Sequence, residues 1–211
     1  MQISEKDIVT ALCLRCGEDV QKRFKNTRVA VCGLGGLGSN ISVLLARAGV
    51  GSLHLIDFDK VDISNLNRQQ YFVSQIGQYK TEALKEIIYQ INPFCSVETD
   101  TVKICENNVF DLLKNDEIVC EAFDVPEQKA MLVQNVLELF ADKYLVSGSG
   151  MAGVSSANLI RTRKVSKRFY ICGDEKSDVA DGIGLISSRV CVCASHQANQ
   201  VLRIILGKTD A

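Results

Sequence analysis

Hydrophobic positions in the first half of the chain follow two alternating spacings. Short apolar and β-branched runs predict strands at 29–32, 53–56, 96–102 and 118–120. Between them, apolar residues recur at helical spacing, as in Ile41, Leu44, Leu45 and Ala48, in Leu84, Ile87, Ile88 and Ile91, and in a helix over 127–140. Because strands alternate with helices, we expect a mostly parallel, Rossmann-like α/β sheet that helices cover on both faces.

The second half departs from this alternation. A strand is predicted at 144–147, and the small residues of 147–153 follow it. Two further strands, at 157–162 and 169–172, have no helix between them, and a closing helix is predicted over 190–206. We therefore expect antiparallel strands to extend the parallel sheet within one domain over 1–211.

Composition and charge narrow the class of protein. Of the 211 residues, 46% are hydrophobic and 23% charged, which is typical of a globular domain. A formal net charge of -1 argues against a nucleic-acid partner. The most apolar stretch, 43–56, contains Arg47 and His54 and is too short to span a bilayer. Without a signal peptide at the start, a cytoplasmic location is expected.

The cysteines argue for a reducing compartment rather than for a metal centre. Most of the nine lie in apolar runs, as Cys120 does, where cysteine acts as a small hydrophobic residue. Cys13 and Cys16 form a single C-x-x-C pair, but a structural zinc needs four ligands, so no zinc is expected. Cys172 is the best-placed candidate for handling sulfur; buried filler is the alternative.

A glycine-rich loop follows the first predicted strand directly. Gly33, Gly35, Gly36 and Gly38 give the pattern G-x-G-x-x-G, which permits a tight turn and close approach of the backbone to phosphates. Asp57 ends the second strand 24 positions after Gly33, where a ribose-binding carboxylate is expected. The order strand, loop, helix, strand and acid predicts nucleotide binding, although NAD, FAD, S-adenosylmethionine and ATP sites all share it.

A polar cluster after the second strand favours a triphosphate over a dinucleotide. Arg68 offers a planar guanidinium suited to phosphate oxygens, and Lys80 offers a compact positive charge at a predicted helix start. Asn65 and Asn67 add neutral polar groups. The alternative is a solvated loop whose charges have no ligand.

These motifs resemble those of the ThiF/MoeB/ubiquitin-activating superfamily, which combines a GxGGxG loop, D-x-D, S-N-L-x-R-Q and a downstream lysine. The resemblance extends over 12–207. The short form of the chain, which ends with the motifs in 170–174 and 195–203, is most similar to the compact ThiF-type adenylyltransferases of bacterial thiamine biosynthesis.

The resemblance implies a role for each matching residue. Glycines 33, 35, 36 and 38 would line the nucleotide, together with Asp57 at the ribose, Asp59 beside it, and Asn65, Arg68 and Lys80 at the triphosphate. Asp124, which follows the fourth strand, would hold Mg²⁺; from its position it could instead cap the next helix. Arg15 is the match for an arginine that this family supplies from a partner subunit, with Arg23 and Arg28 nearby.

The resemblance also implies an activity and its partners. The chain would use ATP to adenylylate the C-terminal glycine of a small ubiquitin-like sulfur-carrier protein, ThiS-like and ending in Gly-Gly, and would release pyrophosphate. A homodimer is expected, with 1–124 as the nucleotide-binding half and 125–211 as the carrier-binding half. The alternatives are a molybdopterin-synthase-type carrier, a tRNA-modifying activity, a nicotinamide-dependent oxidoreductase, and a non-catalytic module that only binds a carrier.

Overall fold

A computed structural model describes residues 3–211. They form seven strands, β1 (Arg28–Cys32), β2 (Ser52–Ile56), β3 (Ser96–Asp100), β4 (Ile118–Glu121), β5 (Tyr144–Gly148), β6 (Arg161–Lys164) and β7 (Phe169–Gly173). The same residues form seven α-helices, α1 (Glu5–Cys16), α2 (Glu18–Lys25), α3 (Gly36–Ala48), α4 (Lys80–Ile91), α5 (Val109–Leu113), α6 (Pro126–Leu139) and α7 (Ser187–Ile205). None of these helices combines the length and apolar character needed to cross a bilayer.

The strands form one sheet in the order β3-β2-β1-β4-β5-β7-β6. Neighbouring strands run parallel except for β6, which pairs antiparallel with β7 at one edge. The Rossmann-like α/β prediction with an antiparallel extension is therefore confirmed. All six parallel strands end at the same edge of the sheet, where ligands of such folds bind.

Each face of the sheet has its own hydrophobic core, because side chains along a strand alternate in direction. On one face, Val29 and Val31 of β1 belong to a core shared with α3, α4 and α7. On the other face, Ala30 and Cys32 join a core with α5 and α6. Strands buried on both sides carry continuous apolar runs, which is why the sequence revealed them so well.

Two predicted strands and several helices differ from the structure. The strand predicted at 157–162 is partly wrong, because residues Ala157–Leu159 form a 3₁₀ turn and β6 begins at Arg161. The third strand stops at Asp100 rather than at 102. Helices α1, α2 and α5 were not predicted. Helix α1 buries none of its side chains, so it lacks the apolar stripe from which a helix is inferred.

A buried imidazole joins the two ends of the β3–β4 crossover. His54, in the middle of β2, contacts Asp100 at 2.8 Å through Nε2 and Asp116 at 2.9 Å through Nδ1. Arg28 donates to Asp116 and to Glu98 on the same side. Burial alone would lower the pKa of His54, but its hydrogen bonds to Asp116 and Asp100 outweigh that effect and raise the pKa. An imidazolium can donate to both carboxylates at once.

We expect this contact to make stability depend on pH. Because the pKa of His54 is raised above its usual 6.5 by folding, its contribution is complete below that value and is lost as pH rises through the folded pKa. Urea unfolding of His54→Gln should show a deficit of about 1.5–3 kcal/mol at low pH, the range for hydrogen bonds to charged groups. The deficit in unfolding free energy should shrink at alkaline pH, well above the usual pKa of 6.5. An equal deficit at low and at alkaline pH would contradict the account.

Candidate functional site

The glycine loop lies at the carboxyl end of β1 and leads directly into α3. Gly33 has φ of +87°, a backbone conformation that favours glycine. At Gly38, an added Cβ would lie 1.8 Å from the carbonyl oxygen of Gly33, so only glycine allows α3 to approach the loop this closely. The free N–H groups at the start of α3 favour an anion. Geometrically, the loop can accept a phosphate group.

Asp57 supports the glycine loop from the end of β2. Its carboxylate is buried and accepts the N–H of Leu34 at 2.6 Å through one oxygen and the N–H of Asp59 at 2.8 Å through the other. Tyr71 donates its hydroxyl to the carbonyl of Leu34 at 2.8 Å. These bonds fix both sides of Leu34, so the loop is held in shape before any ligand arrives.

Lys80 is connected to the same loop through two carboxylates. It is the first residue of α4, is only 6% exposed, and donates from Nζ to Asp59 at 2.8 Å. Asp59 in turn donates its N–H to Asp57. The structure thus brings Lys80, Asp59, Asp57 and the glycine loop into one continuous set of contacts.

Arg68 lies against the middle of the loop. Its Cγ is 3.4 Å from the position that a Cβ on Gly36 would take. One terminal nitrogen, Nη1, donates to the carbonyl of Ser64 at 3.1 Å and to Asn67 at 2.8 Å. Nε is buried and has no hydrogen-bond partner among residues 3–211. A guanidinium has five donors, and the two on Nη2 make no hydrogen bond within residues 3–211, so they remain for a ligand.

Two amides accompany Arg68 in the polar segment. Asn65 lies in the 3₁₀ turn Ile63–Asn65, and its side-chain oxygen accepts the N–H of Asp62 at 3.0 Å. Gln69 was not singled out from the sequence. Its amide oxygen is buried without a partner in the described chain, and its Nε2 is 3.8 Å from where a Cβ on Gly35 would lie. A buried unpaired acceptor beside the loop makes Gln69 a candidate member of this site.

Asp124 follows β4 at the same edge of the sheet. It is exposed, and its carboxylate makes no hydrogen bond or ion pair within residues 3–211. The alternative role as helix cap is wrong, because Val125 is the N-cap of α6 and Pro126 begins the helix. A free carboxylate is the type of hard oxygen ligand that Mg²⁺ uses together with phosphate and water, so the residue fits that ion.

Arg15 is not brought to this site within the chain. It lies exposed in the last turn of α1. That helix packs beside Gly49 and Gly51, which precede β2 and therefore lie at the amino end of the strands. The glycine loop is at the opposite end. Arg15 can therefore serve a nucleotide site only on another copy of the chain.

The structure does not support Cys172 as a reactive thiol. Its side chain is fully buried in β7, where burial raises the pKa to about 11. A thiol that stays protonated at neutral pH is a poor nucleophile. Cys13 and Cys16 are both free thiols, and Cys16 is exposed. Cys172 is therefore better interpreted as a small buried hydrophobic residue than as a group that handles sulfur.

The segment after β7 is anchored at its start and exposed beyond it. Asp174 accepts from Arg189 of α7 at 2.7 Å and from Ser177, and both members of the ion pair are buried. Burial would raise the pKa of Asp174, but hydrogen bonds from Ser177, Arg189 and Lys176 hold it well below its usual range. Arg189 also donates to the carbonyl of Ala152 at 2.6 Å, which fastens the small-residue loop after β5.

Sequence comparison decides the family. The model of the ThiF family matches residues 10–211 of this chain. The chain belongs to the ThiF family. Its ThiF relatives include the "Adenylyltransferase and sulfurtransferase UBA4" of Scheffersomyces stipitis, 29% identical over 194 residues, which are 89% of this chain and 43% of that protein. The "Probable adenylyltransferase/sulfurtransferase MoeZ" of Mycobacterium tuberculosis is 40% identical over 109 residues, 51% of this chain and 28% of that protein. The chain thus spans less than half the length of these relatives.

Two solved structures illustrate the fold that this chain shares. One is Escherichia coli tRNA N6-threonylcarbamoyladenosine dehydratase, TcdA, crystallised with ATP. It superposes with a TM-score of 0.87 at 24% identity, and the match covers 99% of this chain and 98% of the TcdA chain. The E. coli MccB complex with ATP gives a TM-score of 0.67 at 26% identity and covers 90% of this chain and 59% of its own.

Proposed function

We propose that this ThiF-family chain uses ATP to adenylylate the C-terminal glycine carboxylate of a small ubiquitin-like sulfur-carrier protein. The observation that carries the proposal is the meeting of the glycine loop, Arg68, Lys80 and Asp124 at the carboxyl edge of one sheet. A nicotinamide enzyme would use the loop and Asp57 but would leave the two cations and the free carboxylate without a role.

The reaction needs positioning and charge neutralisation more than covalent help from the protein. The carrier's carboxylate oxygen attacks the α-phosphorus of ATP, the bond from that phosphorus to the bridging oxygen breaks, and pyrophosphate leaves with the electron pair. Arg68 and Lys80 neutralise the phosphate oxygens, Asn65 adds a neutral polar contact, and Asp57 and Asp59 orient the nucleoside and the loop. The products are an acyl-adenylate and pyrophosphate.

A magnesium ion bound by Asp124 would neutralise phosphate charge and orient the leaving pyrophosphate. A carboxylate at the end of a strand in this fold faces the ligand cleft. Asp124 has no partner inside the described chain, so binding an ion breaks no existing contact.

We assign the carrier as ThiS-like and the pathway as assembly of the thiamine thiazole. The support is the resemblance of its motifs, over 12–207, to those of short ThiF-type enzymes. A molybdopterin-synthase-type carrier is the alternative within the same chemistry. The test is ATP–pyrophosphate exchange with purified carriers ending in Gly-Gly, added singly. Exchange that appears only with a ThiS-like carrier supports the assignment; nicotinamide reduction without exchange would refute it.

A homodimer in which Arg15 serves the partner's nucleotide accounts for the position of α1. We expect Arg15→Ala and Arg68→Ala each to be nearly inactive alone. Mixing the two variants under conditions of subunit exchange should restore activity, because a hybrid dimer contains one site with both arginines intact. Arg23→Ala, one helix later, is the matched control and should not behave in this way. If the mixture stays as inactive as its components, Arg15 does not act across an interface.

A second candidate substrate is a carboxylate carried on tRNA. TcdA, named as a tRNA dehydratase, matches nearly the whole chain, and residues 161–168 include five cations and no carboxylate. Such a basic segment suits a phosphate backbone, against the argument from net charge. Adding tRNA in place of carrier to the exchange assay separates the two: exchange with tRNA alone would replace the carrier proposal.

A further inference from the structure

A buried carboxylate lies three residues before Asp124 in the sequence and plays no part in the proposed reaction. Glu121 ends β4 and is 0% exposed. Its Oε2 accepts hydrogen bonds from Lys129 Nζ, at 2.5 Å, and from the hydroxyl of Ser147. Its Oε1 accepts a hydrogen bond from the N–H of Phe123 at 2.7 Å. A buried carboxylate is costly unless it is paired and hydrogen-bonded, and here both oxygens are satisfied.

The Phe123 contact ties the backbone before Asp124 to Glu121. The Phe123 N–H donates to the Glu121 carboxylate at the turn that follows β4. In this turn, the Phe123 ring lies 2.8 Å from where a Cβ on Gly33 would be, and the carbonyl oxygen of Ala122 lies 3.0 Å from it. The turn that carries Asp124 is therefore packed against the first glycine of the nucleotide loop.

Lys129 extends the same arrangement to the next strand. From α6, its ammonium group donates to the Gly148 carbonyl at 2.9 Å as well as to Glu121. One cation thus connects the carboxyl ends of β4 and β5 to α6. Lys129 also pairs with Glu121. Asp124 is therefore the carboxylate of this turn that has no partner in the described chain.

We infer that Lys129 is a positioning residue, which with Glu121 holds Asp124 in place to bind the metal ion. The inference rests on the proposed function, since it assumes that Asp124 binds magnesium. Lys129 acts through Glu121 and the backbone of Phe123. Supporting groups behind a metal ligand commonly change metal affinity by about 10-fold to 100-fold when they are removed.

Nucleotide binding with and without metal tests this role without relying on turnover. Calorimetry with α,β-methylene-ATP should show that Lys129→Met loses about 10-fold to 100-fold in affinity in the presence of Mg²⁺, with little change in EDTA. Lys129→Arg should recover most of the loss, because it keeps the charge and the donors. Lys114→Met, which removes an exposed lysine paired with Asp111, is the matched control and should bind as the wild type does.

The double variant Glu121→Gln/Lys129→Met covers the case in which Lys129→Met does not fold, because it leaves no unpaired buried charge. It too should lose magnesium-dependent affinity, since the bond to the Gly148 carbonyl is gone. If the wild type binds the Mg²⁺ nucleotide and neither variant differs in metal dependence, the inference fails while the proposed function stands. If the wild type binds no Mg²⁺ nucleotide, the proposed function fails and the inference fails with it.

Discussion

Replacement of Arg68 by alanine should lower carrier-dependent ATP–pyrophosphate exchange by about 100-fold to 1,000-fold, the loss typical of removing one preorganised donor from a site of developing negative charge. The guanidinium is the group best placed for phosphate, since its stem packs on Gly36 and its Nη2 makes no hydrogen bond in the described chain. Its present contacts, to the Ser64 carbonyl and to Asn67, are ones that a phosphate can displace.

The controls for Arg68 separate charge from geometry. Arg68→Lys keeps the charge but loses the planar arrangement of donors, so it should recover only part of the activity. Arg47→Ala removes an exposed arginine from the far end of α3 and should exchange pyrophosphate at the wild-type rate. Near-normal exchange in Arg68→Ala would mean that phosphate is bound elsewhere.

Replacement of Asp124 by asparagine should also reduce exchange by about 100-fold or more, because metal binding to phosphate contributes several kcal/mol of charge stabilisation. The amide keeps one oxygen but removes the negative charge that attracts the ion. The half-saturating Mg²⁺ concentration should rise, whereas nucleotide binding in EDTA should hardly change.

The matched control is Asp142→Asn, which alters an exposed carboxylate next to β5 at the amino end of the sheet. It should leave both the rate and the metal requirement unchanged. If Asp124→Asn lowered the rate at every Mg²⁺ concentration by the same factor and left the half-saturating concentration alone, Asp124 would not be the metal ligand.

The sequence predicted the central strands and the glycine loop well, because their information is local. A buried parallel strand such as β1 is a continuous apolar run, and the glycines after it are set by φ values and close approaches that other residues cannot adopt. The polar segment around Arg68 could also be proposed from the sequence, because its residues follow one another along the chain.

What the sequence did not reveal depends on contacts between distant parts of the chain. Glu121 and Lys129 are inconspicuous in the sequence, and only the packing of α6 across β4 and β5 makes them a pair. The one feature of the sequence that could have indicated this pair is Glu121, a charged residue at the end of the apolar run in β4. Likewise, nothing local shows that Arg15 lies at the opposite end of the sheet from the loop.

The most direct test is a crystal structure with α,β-methylene-ATP and Mg²⁺. The account predicts the triphosphate over the glycine loop, with the Arg68 guanidinium moved from Ser64 and Asn67 to phosphate oxygens. Lys80 should have left Asp59 for a phosphate, and Asp124 should coordinate the ion. A nucleotide bound with Arg68 and Lys80 still in their present contacts, or bound away from the loop, would contradict it.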